Sequence, residues 1–186
     1  MDIFKINNST INPDGGEIFK DVSGNPTGVF NETAQQLIYP PIKSKKEKIQ
    51  ALELAVAHCL ENGITSFHNA GASFSDIEVF EELAKNNILD IRLYTMLDGK
   101  DEKLLNMYYK LGPQIGLYDN HLTIRSIKLY ADGALGSRGA WLIDDYSDKE
   151  GTFGHIVTPL EEIQKVTKEG LEKGFQICTH AIGDRA

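Results

Sequence analysis

Helix and strand patterns alternate along most of this chain, and the alternation limits the possible folds more than any other feature. Apolar residues at helical spacing predict four helices, over 44–62, 75–86, 102–111 and 158–174. Apolar and β-branched runs predict four strands, over 64–68, 91–97, 122–130 and 175–180. Strands that are separated by helices form parallel sheets with right-handed crossovers. We therefore expect an α/β fold built on parallel strands.

Sequence motifs at the helix starts support three of these helices. Each motif is a capping box, in which a Ser or Thr hydroxyl and an acidic side chain three residues later bind the first free backbone N–H groups. The three boxes are Ser44–Glu47, Ser75–Glu78 and Thr158–Glu161. We expect each hydroxyl to be the N-cap of its helix.

The first 43 residues interrupt the alternation. Short extended stretches flank Ser23–Pro26, which is typical of a turn, and a short helix is predicted over 32–38. We therefore divide the chain into an N-terminal extended or hairpin segment with a short helix, residues 1–43, and an α/β part, residues 44–186. A complete (β/α)8 barrel has eight strands in roughly 250 residues. The four strands of the second part predict half of a TIM-type β/α barrel, taken from a longer protein.

Composition and charge exclude two classes of partner. The chain has 27 Asp and Glu against 19 Lys and Arg, a formal net charge of −8, which disfavours a nucleic-acid partner held by phosphate contacts. No apolar run approaches the roughly 20 residues of a membrane span, so we expect no membrane partner. The first ten residues lack signal-peptide features, and Cys59 and Cys178 indicate no disulfide framework. We therefore expect a cytoplasmic protein.

The most informative stretch runs from the third predicted strand into a glycine-rich turn. The two-residue period of a strand places Lys128 and Asp132 on one face, and Ile127 and Leu129 on the other. In α/β proteins, binding and catalytic groups gather at the carboxyl ends of parallel strands. A functional lysine is one interpretation, and a Lys128–Asp132 ion pair without chemistry is the other.

The last predicted strand offers a second candidate. Its inward residues would be Gln176, Cys178 and His180, and a neutral imidazole is a common metal ligand. A lysine and a histidine at the ends of two strands suit a metal site, whereas a hydrogen-bonded structural histidine is the alternative. These residues alone leave both interpretations open.

Four segments together resemble a known family. They are Ile127–Ser137 (IKLYADGALGS), Thr179–Ala186 (THAIGDRA), Gly63–Gly71 (GITSFHNAG) and Gly15–Val29, with its GGEI and GNPTGV pieces. The chain resembles the YtcJ-like branch of amidohydrolase family 3, in the amidohydrolase superfamily, from about Gly15 to its last residue. The resemblance implies an internal fragment of a metal-dependent hydrolase barrel.

The resemblance also implies an activity and a metal. The parent protein would hydrolyse an amide, formamide or carbamate-type C–N bond of a small-molecule substrate, through water activated by a divalent metal, expected to be zinc. Lys128, as a carbamate made with carbon dioxide, and His180 would be metal ligands. The family's first-strand H-x-H pair, a later histidine and the last-strand aspartate that acts as general base have no counterpart in this sequence. We therefore assign no catalytic residue and expect the isolated chain to be inactive.

Substrate contacts are expected from four residues, His68, Asp132, Arg138 and Trp141. His68 ends the first strand and either lines the pocket or packs. Asp132 orients Lys128, touches substrate or caps a loop, and Arg138 meets an anionic substrate group or an acidic neighbour. Trp141 lies in the connection 133–157, about twenty-five residues where two to six are usual. We interpret that connection as a cover over the substrate, with a solvated insertion as the alternative.

Half of a barrel has consequences for association. It leaves sheet edges and interior side chains uncovered. We therefore expect the isolated chain to form a homo-oligomer or to pair with the missing half of the barrel.

A different class of function is a non-catalytic binding or regulatory module derived from the same barrel. An H-x-H pair upstream and an aspartate downstream in a full-length gene would favour the enzyme over this module. A third possibility is a phosphate-binding loop at Gly133–Gly139. Its spacing matches neither G-x-G-x-x-G nor a P-loop, and no capped helix follows at once, so we rank it last.

Overall fold

Strands and helices alternate in the computed structural model, which describes residues 4–186. The strands are β1 (Gly16–Lys20), β2 (Pro26–Glu32), β3 (Ser66–Ala72), β4 (Arg92–Asp98), β5 (Gln114–Gly116), β6 (Leu122–Tyr130) and β7 (Gln176–His180). The helices are α1 (Lys45–Glu61), α2 (Phe74–Lys85), α3 (Glu102–Leu111), the single turn α4 (Leu117–Asn120) and α5 (Leu160–Glu172). Among the described helices, none has the length and apolar content that crossing a membrane requires.

These elements belong to two units. The hairpin unit takes in the chain up to Pro41, together with Tyr130–Ile163 and Thr179–Ala186. The sheet unit comprises Ile42–Leu129 and Gln164–Cys178. The division of the chain after residue 43 stays a prediction.

Parallel strands form the sheet unit. β4 lies between β3 and β6, and both pairings are parallel. β7 also pairs with β6, and β5 adds one antiparallel pair, Gln114 with Ile124. In the register of β4 and β6, Asp98 lies opposite Lys128. The predicted α/β class with parallel strands is therefore confirmed, while closure into half of a barrel stays a prediction.

The core of the sheet unit lies on the face that the helices cover. Leu97 of β4 and Ile127 of β6 are fully buried. Helix α5 lies close to the sheet at Gly170, where an added Cβ would lie 2.8 Å from Cδ1 of Ile177 and 3.0 Å from Cδ1 of Ile127. Because side chains alternate along a strand, Lys128 lies on the opposite face of the sheet from Ile127.

Helix α1 begins as the sequence predicts, but helix α2 does not. The Ser44 hydroxyl accepts a hydrogen bond from the Glu47 N–H at 3.3 Å, and the Glu47 carboxylate accepts one from the Ser44 N–H at 2.7 Å. The predicted box Ser75–Glu78 is wrong, because Ser73 caps α2 together with Asp76. Both Ser73 and Ser75 are followed three residues later by an acidic residue. Only Ser73 donates its N–H to that residue, which is Asp76.

The predicted capping box at Thr158 is also wrong. Thr158 is buried, and its hydroxyl has no hydrogen-bond partner among residues 4–186. Helix α5 begins at Leu160, after a proline that has no N–H to donate. The short helix predicted over 32–38 is a 3-10 turn at Thr33–Leu37. At Thr158 the β-branched side chain is buried, so its hydroxyl does not cap α5.

The N-terminal part of the hairpin unit is an antiparallel hairpin of β1 and β2. Its turn is the one predicted from the sequence: the Asp21 carboxylate accepts hydrogen bonds from the N–H groups of Ser23 at 2.9 Å and Asn25 at 2.8 Å. Such Asx bonding stabilises a turn. β2 ends at Glu32, which has a φ of 46° and a ψ of −124°.

The long connection 133–157 belongs to the same unit and has little regular structure. It contains a 3-10 turn at Leu135–Ser137, and Tyr146 forms an isolated bridge with Lys149. Just before it, Asp132 forms a bridge with Ile156, so the two ends of the connection lie side by side. Since β6 ends at Tyr130 and α5 begins at Leu160, the connection is slightly longer than predicted and spans residues 131–159.

Candidate active-site residues

Lys128 stands near the carboxyl end of β6, on the polar face of the sheet unit. Its side chain is half-buried, and its carbonyl oxygen accepts a hydrogen bond from the Gly99 N–H at 3.0 Å. Burial lowers the pKa of the Lys128 ammonium, and the nearby thiol of Cys178 on β7 partly opposes that shift. A lowered pKa raises the fraction of neutral amine, which is the nucleophilic form.

His68 lies on β3 in the same unit and is exposed. The prediction that His68 ends the first strand is wrong, because β3 runs from Ser66 to Ala72. Its ring stacks on Tyr94 of β4 with a centroid distance of 4.9 Å and an interplanar angle of 29°. The Tyr94 hydroxyl donates a hydrogen bond to Gln176 Oε1 at 2.8 Å. These contacts give the sheet a polar and aromatic face that spans β3, β4 and β7.

His180 ends β7 and belongs to the hairpin unit. Its Nε2 lies 3.3 Å from the carbonyl oxygen of Gly133 and 3.8 Å from Oδ1 of Asp132. A carbonyl oxygen only accepts hydrogen bonds, so a neutral His180 ring carries its proton on Nε2 and keeps the lone pair on Nδ1. This carbonyl is the hydrogen-bond partner that a metal-binding histidine needs on its second nitrogen.

Asp132 is almost fully buried, with 1% of its surface exposed. Its carboxylate accepts hydrogen bonds from the N–H groups of Trp141 at 2.9 Å, Ile182 at 3.0 Å and Gly183 at 2.7 Å. Burial alone would raise the pKa of this carboxyl, but the three backbone donors and His180 outweigh it, so the pKa is lowered. Of the roles considered from the sequence, these contacts match the cap of a loop.

Trp141 lies against the last residues of the chain. An added Cβ on Gly183 would overlap the Trp141 carbonyl, so only glycine fits there. The Arg185 N–H donates to that carbonyl at 3.2 Å, and the Arg185 guanidinium carbon lies 5.6 Å from the centre of the indole ring. The Asp184 carboxylate accepts the Ile143 N–H at 2.8 Å. Residues 183–186 are thus tied to the long connection.

Arg138 meets an acidic neighbour, one of the two possibilities considered from the sequence. Its Nε and one terminal nitrogen donate to the two carboxylate oxygens of Asp148, at 3.1 Å and 2.8 Å. The fork of two hydrogen bonds fixes the guanidinium plane. Asp148 is exposed, so this ion pair contributes little to the free energy of unfolding.

Glu32 is a residue of this region that the sequence did not reveal. Its φ of 46° and ψ of −124° resemble the first central residue of a type II′ turn, a position that favours glycine. A non-glycine residue there costs about 1–3 kcal/mol. Its carboxylate packs against Gly133 and Gly139, and Oε1 accepts the Ala134 N–H at 3.2 Å. The two closely spaced glycines were visible in the sequence, but nothing in it pointed to a side chain from a hundred residues away.

The donors for a metal ion fit in type but are too few. Among residues 4–186, no three His, Cys, Asp or Glu side chains are grouped closely enough to hold a metal ion. Nε2 of His180 is hydrogen-bonded to the Gly133 carbonyl, and burial lowers the pKa of Lys128. A catalytic zinc site has three protein ligands. The described residues therefore include no complete metal site, and the roles of Lys128 and His180 as ligands stay predictions.

Comparison with known proteins gives one family. The model of the amidohydrolase family matches residues 2–186. YtcJ of Bacillus subtilis (strain 168) is 33% identical over 190 residues, which cover 97% of this chain and 34% of YtcJ. Protein LONG AFTER FAR-RED 3 of Arabidopsis thaliana is 29% identical over 192 residues, which cover 95% of this chain and 32% of that protein. The chain spans about a third of the length of these relatives.

A solved structure shares the fold. The crystal structure of an uncharacterized metal-dependent hydrolase from Pyrococcus horikoshii OT3 matches this chain with a TM-score of 0.73 at 26% sequence identity. The match covers 89% of this chain and 34% of that one. The likeness in structure therefore has the same extent as the likeness in sequence.

Proposed function

This chain belongs to amidohydrolase family 3, in the YtcJ-like branch, and from that membership we propose that it is one part of a metal-dependent hydrolase. The enzyme would cleave an amide, formamide or carbamate-type C–N bond in a small molecule. The chain would form about half of a TIM-type barrel, with the rest supplied by a longer parent. The observation that carries the proposal is the His180 ring, whose Nε2 faces the Gly133 carbonyl and whose Nδ1 is left for a metal.

Two residues of this chain would hold the metal, which we propose to be zinc. His180 would bind it through Nδ1, because Nε2 is engaged with Gly133. Lys128 would bind it as a carbamate. When bound, such a metal polarises the scissile carbonyl and lowers the pKa of water. The remaining ligands and the general base would come from outside this chain.

The carbamate of Lys128 follows from ordinary amine chemistry. The nitrogen lone pair of the neutral amine attacks the carbon of carbon dioxide, a C–N bond forms as one C=O π bond opens, and one proton passes from the nitrogen to water, which leaves a carbamate with two oxygens. Burial lowers the pKa of Lys128 and so raises the fraction of the reactive amine at neutral pH. The product replaces a cation with an anion, which is the charge that a metal ligand needs.

Substrate contacts would come from His68, Arg138 and Trp141. His68 is exposed on the polar face of the sheet unit and retains ring nitrogens for a polar group. Arg138 is held by Asp148, so an anionic substrate would compete for the same fork of donors. Asp132 would act indirectly, by holding the Trp141 N–H and the chain after His180 in place.

The isolated chain is expected to be inactive, because no three His, Cys, Asp or Glu side chains among residues 4–186 are grouped closely enough to hold a metal ion. The test is an assay of the chain with added zinc against N-acyl and N-formyl amines, beside the Lys128→Ala variant. The wild-type chain and the variant are expected to show the same background rate of hydrolysis. Turnover by the wild-type chain above that of the variant would contradict the expectation of inactivity.

The proposed activity itself is tested in the full-length protein. Wild type is expected to contain zinc and to hydrolyse at least one C–N substrate, and Lys128→Ala and His180→Ala are each expected to lose both properties. Lys149→Ala is the control, since Lys149 pairs with Glu17 and has no place in the proposed site. A metal-free wild-type protein without turnover would contradict the proposal and favour a binding or regulatory module.

We also propose how the isolated chain associates and in which compartment the protein works. The isolated chain would associate with itself or with the missing part of the barrel, since Phe67 of β3 and Leu54 of α1 are exposed apolar residues of the sheet unit. A reducing cytoplasm would be its compartment, because Cys59 and Cys178 are both free thiols.

A further inference from the structure

Glu32, at the end of β2, reaches the glycine loop that lies beside His180. We define the glycine loop as residues 133–139. We propose that Glu32 is a positioning residue for His180, acting through the peptide group that joins Gly133 to Ala134. The inference adds a residue of the N-terminal hairpin to the surroundings of His180, which the proposed function does not assign.

The backbone of Glu32 gives the first argument. Its φ of 46° and ψ of −124° lie in a region where a side chain is strained and glycine is not. Both neighbours anchor it there: Asn31 donates from its side chain to the Ser137 carbonyl at 2.8 Å, and the Thr33 N–H donates to the Gly15 carbonyl at 3.3 Å. The fold therefore keeps an acidic side chain in a costly conformation, and its carboxylate points into the glycine loop.

The glycine loop gives the second argument, because it is shaped around this carboxylate. A Cβ added to Gly133 or to Gly139 would overlap the carboxylate of Glu32. The loop closes on itself through the Gly133 N–H, which donates to the Gly139 carbonyl at 3.1 Å. The carboxylate thus fills the space that the two missing side chains leave.

The shared peptide group gives the third argument. Glu32 Oε1 accepts the N–H of Ala134 at 3.2 Å, and the carbonyl of that same peptide, from Gly133, lies 3.3 Å from Nε2 of His180. A trans peptide is planar and its N–H and C=O point in opposite directions. A group that holds the N–H therefore also aims the C=O, and a negative charge on the N–H side strengthens the carbonyl as an acceptor.

Glu32 therefore favours one state of the His180 ring. The aimed carbonyl accepts a hydrogen bond from Nε2–H, which favours the tautomer with the proton on Nε2 and the lone pair on Nδ1. This inference deepens the proposed function by fixing which nitrogen a metal would meet. It does not need the metal for its test, since the ring tautomer exists in the metal-free chain.

The experiment compares the His180 ring in four forms of this chain labelled with ¹⁵N in histidine. Long-range ¹H–¹⁵N spectra at a pH where the ring is neutral report the tautomer, and the His180→Gln variant assigns the signals. Glu32→Gly removes the carboxylate and also suits the positive φ, so folding is retained. Glu32→Gln keeps an acceptor oxygen. Glu17→Ala is the matched control, because it removes one negative charge from the same hairpin and breaks its pairing with Lys149 elsewhere in the long connection.

We expect Glu32→Gly to move the His180 ratio of Nε2–H to Nδ1–H by about twofold to tenfold toward Nδ1–H, the size of one lost hydrogen bond. Glu32→Gln should restore most of the wild-type ratio, and Glu17→Ala should leave it unchanged. An unchanged ratio in Glu32→Gly would overturn the inference, as would an equal change in Glu17→Ala. If the ratio changes as expected but the full-length protein holds no metal, the proposed function alone fails.

Discussion

Nε2 of His180 lies 3.3 Å from the carbonyl oxygen of Gly133, closer than to the carboxylate of Asp132 at 3.8 Å. The histidine is thus held by a backbone group of the glycine loop. The Asp132 carboxylate is already engaged by three backbone N–H groups. Asp132 holds the backbone at Trp141 and at the two residues Ile182 and Gly183. The Gly133 carbonyl favours one tautomer of the His180 ring.

Asp132→Asn should destabilise the hairpin unit. The amide has the same shape but one acceptor oxygen, so backbone N–H groups that the carboxylate binds lose their partner in a buried place. We expect the free energy of unfolding to fall by about 2–4 kcal/mol. Urea unfolding followed by tryptophan fluorescence measures it, since Trp141 is the single tryptophan. Asp148→Asn is the control, because the exposed Asp148 carboxylate should contribute far less to the free energy of unfolding. An equal loss of stability in the two variants would refute the role given to Asp132.

The stabilising effect of Asp132 should depend on pH in a definite direction. The folded-state pKa of Asp132 is lowered below its usual value. The stability that it contributes is therefore fully present above the unfolded pKa, near pH 4, and is lost as the pH falls through the lower folded pKa. Thermal unfolding of wild type and Asp132→Asn from neutral pH downward should converge at low pH. A gap in Tm that stays constant over this range would contradict the assignment.

Lys128 should react as a neutral amine at lower pH than Lys45. Burial lowers its pKa, whereas the Glu82 carboxylate raises the pKa of the exposed Lys45 on α1. Labelling with an amine reagent at a series of pH values, followed by peptide mass spectrometry, gives a midpoint for each lysine. We expect the Lys128 midpoint to lie below the Lys45 midpoint. The reverse order would remove the basis for carbamate formation at Lys128.

The true N-cap of α2 can be separated from the one that the sequence predicted. Ser73→Ala removes the hydroxyl that accepts the Asp76 N–H, and should cost about 1 kcal/mol of stability. Ser75→Ala removes a hydroxyl that contacts Lys48 and should cost clearly less. Chemical denaturation of the two variants makes the comparison. A larger loss of stability for Ser75→Ala would instead support the capping box that the sequence predicted at Ser75–Glu78.

Gly183→Ala should disturb the end of the chain, because the new methyl group would overlap the Trp141 carbonyl backbone. Backbone atoms yield less than side chains, so we expect a loss of at least about 2 kcal/mol. Gly136→Ala is the matched control in the same unit, since an added Cβ there meets nothing within 4 Å. Thermal unfolding of both variants is the measurement. Similar melting temperatures would show that residues 183–186 are not packed as described.

Local pattern predicted most of the regular elements, but β5 and α4 were missed and β3 extends four residues beyond its predicted end at residue 68. The bounds of α3 (Glu102–Leu111) and β6 (Leu122–Tyr130) agree with the sequence prediction, because their apolar periods are complete and their ends carry clear signals. The start of α2 was missed because Ser73 and Ser75 offer equally plausible caps. At Thr158 the motif was present but tertiary burial overrode it.

The candidate site was less predictable, for a physical reason. The side chains of Lys128 and His180 stand at strand ends, where position along the chain indicates function. The partner of His180 is a backbone carbonyl, which every residue possesses and no sequence pattern marks. Glu32 reaches Ala134 across about a hundred residues of chain. Only the three-dimensional arrangement reveals contacts of these two kinds.

The close approach at Gly170 has a consequence for the strands that carry Lys128 and Cys178. At Gly170, α5 contacts Ile127 and Ile177 without a side chain of its own between them. The helix therefore cannot slide along its axis by one residue, since that shift would place the side chain of Glu169 or Leu171 against the sheet. Gly170 therefore helps to fix where α5 packs on two neighbouring strands, β6 and β7. A larger residue at position 170 would push α5 away from the strands that carry Lys128 and Cys178.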